Sequence, residues 1–481
     1  MYKKLRIDLI FLLLILVISN IFVTYLGVFS IQVASILAMS AVLLLLLQFR
    51  KSNSNDWIFA ICLFGPILLS VVLTTTGFYL FGIWQVAIIL LATTGLTKFI
   101  TSVKKDKLIQ LSILLFFSFI LCGVYSTMMG RSRFDAASYQ LISDFKPFAA
   151  IVMGFTLGWD PKIERILWMA IRFLWIPLLL ILIFEWVLPG QYVLIFGSKF
   201  IAISDDPSRI FPSRASSLFE HPAMFANSSA AFCIITSARA IMHEKDRIRN
   251  WCLSVIYFIF IITAVQRQEM AACFISILFI YLLYKPEGTF KRFSYIIFIS
   301  VIAAFLFWLV FAQTFNKEGA SWGFGTIGQL EHPRAQIYAG ALILADENIP
   351  FGSGLGTFGG AGAEKFDTSI YESLGFRNYW WYGHEDFLMD TYWPNSIAET
   401  GFLGALSLFF SYFLFLIYTC KVFIKSKCTS KYYWAISAGL FLYILIISFT
   451  SPAFQDLRLF LLPGLMIGVA SKYSELNPNE I

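Results

Sequence analysis

Charge is what this sequence has least of. Of its 481 residues only 14% are Asp, Glu, Lys or Arg, while 58% are hydrophobic and the mean hydropathy is +0.75. A soluble domain carries roughly 25% charged residues, so most of this surface faces something other than water. Patterned cysteine is also missing. Cys62, Cys122, Cys233, Cys252, Cys273, Cys420 and Cys428 fall mostly in apolar runs and form no CxxC. They read as small buried hydrophobes, with no disulfide framework and no zinc set. His221, His243, His332 and His384 share no ligand spacing, so no metal is expected. Tandem repeats, low-complexity tails and a soluble cytoplasmic domain are not legible either.

What is present is one apolar run after another, rich in Phe and Trp that suit lipid and its interface. A membrane span needs about 20 mostly apolar residues. Candidates lie near 9–28, 30–49, 57–76, 78–98, 108–129, 147–160, 166–189, 217–238, 250–266, 268–284, 293–313, 397–420, 432–450 and 453–470. The first follows Lys3, Lys4 and Arg6 and has no A-x-A site, so it is expected to be an uncleaved transmembrane helix. The expected fold is all-α: a polytopic integral membrane protein of 12–14 transmembrane helices with one large extracytoplasmic loop containing short helices.

Basic residues test this map independently, because Lys and Arg concentrate in cytoplasmic loops. With the N-terminus inside, every alternate loop is basic. Examples are Lys98 to Lys107, Lys162 with Arg165, Arg239 to Arg249, Lys285 to Arg292 and Lys421 to Lys431. Both termini are then cytoplasmic. Topology explains the net charge of +7, and no nucleic-acid partner is called for. The chain divides into N-terminal spans over 1–189, core spans with outside arginine motifs over 190–313, a large outside loop over 314–393 and C-terminal spans over 394–481. The large loop holds ten acids against Lys317, Arg334, Lys365 and Arg377.

Charge near membrane depth needs a reason. Arg172 lies in the inner half of its span and is expected to snorkel to the cytoplasmic face. Asp456 and Arg458, at the outer end of the last span, are expected to pair. Three arginines fall outside against the trend: Arg214 in RASSLFEHP, Arg267 in QRQEM and Arg334 in EHPRAQIYAGALILADENIP. A guanidinium offers a planar fork of donors suited to phosphate oxygens, so three of them beside a membrane suit a lipid diphosphate. The stretch Pro350-Phe-Gly-Ser-Gly-Leu-Gly-Thr-Phe-Gly-Gly lacks the GK[ST] of a P-loop and reads as a tightly turning loop. A general base is sought among His332, His384, Asp386, Asp390 and Glu399. Glu399, in WPNSIAETGFLGAL, is equally placed for helix capping.

The order RASSLFEHPAMFAN, TAVQRQE, HPRAQIYAGALILADENIPFGSGLGTFG and NSIAETGFLG resembles the O-antigen ligase and polymerase superfamily of bacterial envelope glycosyltransferases. The likeness covers residues 200–410. It implies an undecaprenyl-diphosphate-linked oligosaccharide as substrate in the bacterial cytoplasmic (inner) membrane, with Arg214, Arg267 and Arg334 on the diphosphate. It further implies a glycosyltransferase without metal or other cofactor, and membrane lipid and a chain-length regulator protein as partners. Two positions depart from the family pattern. Gln266 replaces the serine before the turn arginine, and Asp390 stands where ligases carry a histidine. The second departure favours a repeat-unit polymerase, with Asp390, Glu399, His384 or His332 as the catalytic base. The alternatives are a ligase moving the glycan to lipid A core and, from another class, a lipid-linked oligosaccharide flippase.

Overall fold

A computed structural model describes residues 64–73, 81–103, 106–130, 132–154, 161–196, 214–243, 246–284, 333–383, 387–426 and 428–476. All regular structure among them is helical. In chain order the helices are α1 (Phe64–Leu73), α2 (Phe81–Val103), α3 (Lys107–Met129), α4 (Phe134–Gly154), α5 (Pro161–Phe173), α6 (Trp175–Val187), α7 (Pro189–Phe196), α8 (Pro222–Met242), α9 (Arg247–Thr263) and α10 (Arg267–Tyr284). They continue with α11 (Pro333–Glu347), α12 (Ala361–Phe366), α13 (Ser369–Ser373), α14 (Trp393–Lys425), α15 (Cys428–Ile447) and α16 (Leu457–Leu476). Among the described residues, five stretches are long and apolar enough to cross a membrane: α3, α5 with α6 over Glu164–Val187, α10, α14 and most of α15. The protein is an all-α, polytopic membrane protein. The candidate spans at 9–28, 30–49 and 293–313 lie outside the described residues.

Two helices differ from the sequence expectation for local reasons. The run near 147–160 is part of α4, which starts earlier, at Phe134, and continues through Pro147. Its first half is polar, and Gln140, Ser143 and Asp144 are buried in the protein, not facing lipid. Hydropathy misses a helix that hides its polar face against other helices. The run at 166–189 is broken after Phe173 because Pro177 has no N–H and its ring clashes with the carbonyl four residues back. Backbone bonds from Leu174 to Ala170 and from Leu178 to Leu174 carry the rod across the break.

α14 is the longest helix among the described residues, with 33 residues, or roughly 50 Å at 1.5 Å per residue. That exceeds a bilayer core of about 30 Å. The excess is separated by a kink at Gly401, where φ is 68° and ψ is 179°. An L side chain rarely adopts this conformation, and a Cβ there would collide with the Pro350 carbonyl. Packing depth varies. In the spanning window of α15, 83% of residues are buried, against 28% in α10, so α15 is the centre of the bundle and α10 lies at its edge. Leu114, Leu121 and Met128 on α3, and Leu403, Leu406 and Phe410 on α14, stay exposed as a lipid-facing surface. Lipid supplies no hydrophobic drive between helices, so close backbone approach matters. Gly154 of α4 against Gly464 of α16 permits it.

The helix ends sort by charge. Lys421 Nζ bonds Asp106 Oδ2 at 2.7 Å, tying the C-terminal half of α14 to the start of α3. Burial opposes the charge on Asp106, but the Lys421 bond and the Leu108 amide hold its carboxyl below the ordinary range. Arg172 feels the charges of Arg249 and Arg239, so it sits at the same basic end. The described residues of 333–383 and 387–392 cover the other end. They have their own small core of Ile337, Leu344, Phe358, Tyr371, Phe376 and Trp381.

Candidate functional site

The glycine-rich stretch after α11 is a buried turn. Gly352, Gly354, Gly356 and Gly359 all have positive φ, and the stretch threads between α3, α4 and the kink of α14. Ser353 N donates to Ala398 O at 2.8 Å and Gly354 N to Glu399 O at 3.1 Å. Ser126 Oγ of α3 reaches the Glu399 carbonyl at 2.8 Å, and Gly362 N reaches Gln140 Oε1 of α4 at 3.1 Å. Side chains would not fit: a Cβ on Gly352 would come within 2.5 Å of Gly401 N. The amides that might have cradled a phosphate serve a carboxylate instead. Glu399 Oε1 accepts from Thr357 N at 2.9 Å and Phe358 N at 3.1 Å. The structure therefore places Glu399 under the loop as its anchor.

Asn395, one helical turn earlier, continues this fastening. Its Nδ2 donates to Phe358 O at 2.9 Å, and its Oδ1 accepts from Gln140 at 3.1 Å and Gln455 at 3.3 Å. Gln140 also donates to Asp144 Oδ1 at 3.0 Å. The N-S-I-A-E segment thus locks the loop, α4 and the start of α16 to one another.

The loop carrying Arg214 is held by a residue the sequence reading did not single out. Glu185 is 1% exposed inside an apolar span. Its carboxylate accepts from Ser216 N at 3.0 and 3.1 Å and from Ser217 N at 2.9 Å. Ser217 has φ 52°, and the turned amides form an anion nest that this carboxylate fills. A lone Glu in ILIFEWVLPG was the available signal, since an acid inside a span calls for a partner. Ala215 N then donates to Thr263 O at 3.1 Å. That bond sets the Arg214 loop against the tight turn, with Val265 at φ 54°, that leads into Arg267 at the start of α10.

Arg334 begins α11, and its Nε meets Asp390 Oδ2 at 2.5 Å, both side chains about a quarter exposed. The charges of this pair act on residues near the other two arginines in the chain. Glu269, two residues after Arg267, feels both Arg334 and Asp390, and His221 feels Arg214 and Asp390. Arg214, Arg267 and Arg334 are therefore gathered at the end covered by 333–383 and 387–392. Burial holds His221 below its ordinary 6.5, with the Glu220 charge opposing. Its Nδ1 accepts from Ala223 N at 3.0 Å and caps α8.

Asp456 and Arg458 do pair, at 2.9 Å, but Arg458 also bonds Glu220 Oε1 at 2.5 Å, and Glu220 in turn takes Ser70 Oγ of α1. Two carboxylates on one guanidinium tie α1, α8 and α16 together. His332, His384 and Asp386 lie outside the described residues. No family model matches this chain, and no curated protein matches it.

Proposed function

We propose that this protein is a membrane glycosyltransferase that polymerises undecaprenyl-diphosphate-linked oligosaccharide repeat units on the outer face of the cytoplasmic membrane. The observation that carries the reading is the convergence of Arg214, Arg267 and Arg334 at the end opposite the basic loops. Outside arginines in one cluster give a diphosphate bidentate donors and fixed charge. Charge develops on the departing diphosphate during glycosyl transfer, and preorganised cations stabilise it where water is excluded.

In this reading each arginine is set by a neighbour. Glu185 shapes the Arg214 turn, the left-handed Val265 turn presents Arg267, and Asp390 orients Arg334 as its ion-pair partner. Glu399 and Asn395 fix the glycine loop and with it the cap over the site. The end bearing the arginines faces outward because the basic ends belong in the cytoplasm.

Deletion in the native host, followed by a gel of surface polysaccharide, tests the function. Loss of long chains with one repeat unit still attached is the expected result. Complete loss of attachment would mean a ligase, and lipid-linked units trapped inside would mean a flippase.

A further inference from the structure

Transfer of a glycan to a sugar hydroxyl releases a proton, and the buried acids around the arginines are not equally placed to take it. Asp390 shares Oδ2 with the Arg334 guanidinium at 2.5 Å. A carboxylate committed to a guanidinium is a poor acceptor, since taking the proton breaks the ion pair. Glu185 spends both oxygens on the Ser216 and Ser217 amides. Glu399 Oε2, like that of Glu269 below, meets no donor among the described residues, but its Oε1 holds the glycine loop and the foremost charge acting on it is Asp144, not one of the three arginines.

Glu269 stands apart. It lies in the first turn of α10, two residues after Arg267, and is 0% exposed. Its Oε1 accepts from Gln268 Nε2 at 3.0 Å. Its Oε2 meets no donor among the described residues. A buried carboxylate oxygen left without a donor is costly and calls for a function. Gln268 of its own helix bonds it, the charges of Arg334 from α11 and Asp390 from the segment before α14 act on it, and it in turn acts on Tyr443 from α15. The Tyr443 hydroxyl donates to Asn227 Oδ1 at 2.5 Å. Both residues line a cavity of about 60 Å³ between α1, α8, α15 and α16. Glu269 thus lies within electrostatic range of Arg334 and of Tyr443, a residue of the cavity wall.

We infer that Glu269 takes the proton from the attacking hydroxyl of a lipid-linked oligosaccharide, an assignment that rests on the function proposed above. In this step the hydroxyl oxygen bonds to the anomeric carbon of the donor. The bond from that carbon to the diphosphate oxygen breaks, and its electron pair leaves with the diphosphate. The hydroxyl proton moves to Glu269 Oε2. Atoms and charge balance without a further reactant. In this arrangement Asp390 orients Arg334 and the base comes from α10.

The test uses the purified protein in nanodiscs with lipid-linked repeat units, following chain elongation in single turnover at saturating substrate. Glu269→Gln should melt like wild type and still bind undecaprenyl diphosphate, while elongation falls roughly 100-fold or more, the usual scale for losing a general base. Elongation by Glu269→Gln at the wild-type rate would overturn the assignment and leave the arginine site intact. Should Glu269→Gln fail to fold, Glu269→Asp decides. A rate lowered with unchanged KM supports the role, and a wild-type rate refutes it. Wild-type protein that neither binds the diphosphate lipid nor elongates would remove the functional reading itself, and this assignment with it.

Discussion

Replacing Glu399 separates an anchoring carboxylate from a catalytic one. In Glu399→Ala the amides of Thr357 and Phe358, at 2.9 and 3.1 Å from Oε1, lose their acceptor inside a buried segment. An unsatisfied buried donor costs about 1–3 kcal/mol, so two cost about 2–6 kcal/mol, less whatever a water restores. Glu399→Gln keeps an oxygen where both amides point and should stay within about 1 kcal/mol of wild type. Two assays report on this: thermal melting in detergent, and limited proteolysis of the glycine loop. The alanine variant should melt earlier and be cut between 350 and 362, whereas the glutamine variant should resist cutting and still make polymer. An alanine variant as stable as wild type would refute the anchor. A glutamine variant that melts normally yet makes no polymer would mean the carboxylate does chemistry.

Three further predictions concern the same end of the bundle. Arg458→Leu leaves Glu220 and Asp456 facing each other and should cost about 3 kcal/mol, the low end for a broken buried pair because about a fifth of each partner remains exposed; adding Glu220→Leu should restore part of the melting temperature, and no recovery would argue against a charge origin. For His221 the folded state binds its proton less readily than the unfolded chain, so the stability it contributes is present above pH 6.5 and is lost as pH falls below it. Melting at pH 7.5 and 5 should show a smaller acid loss for His221→Asn, which caps without titrating, and identical acid losses would discount the cap. Ser369 is exposed in the cap, so Ser369→Cys should react with an impermeant thiol reagent in intact cells or spheroplasts. Labelling only after lysis would invert the topology.

The helical spans were legible because apolar run length is set by bilayer thickness, and α3, α10 and α15 begin and end within a few residues of their hydropathy limits. α4 was misplaced at its start because its polar residues satisfy one another inside the protein. Gln140 and Asp144 look like loop residues until Asn395 and Tyr392 are brought against them. The charged candidates were legible by type but not by partner. Asp456 and Arg458 were visible as neighbours, whereas Glu220 is 238 positions from Arg458 and only folding joins them. Arg334 and Asp390 are likewise 56 apart. Glu185 and Glu269 were present as acids in or beside apolar runs, and what sets them apart is which of their oxygens are occupied. The glycine stretch was readable as a tight turn, but the carboxylate it wraps was not, because local sequence does not specify the long-range acceptor of a backbone amide.

Elongation by purified protein decides whether arginines at the capped end hold the diphosphate of the donor. Wild-type protein in nanodiscs should extend lipid-linked repeat units without nucleotide and in the presence of EDTA. Arg214→Ala, Arg267→Ala and Arg334→Ala should each lower the rate, by about 10²–10³ for a fully engaged charge-stabilising donor. Lysine at each position should restore only part, since an ammonium keeps the charge but loses the bidentate fork. Unchanged rates and chain lengths in all three alanine variants, or an absolute need for a divalent ion, would contradict the account.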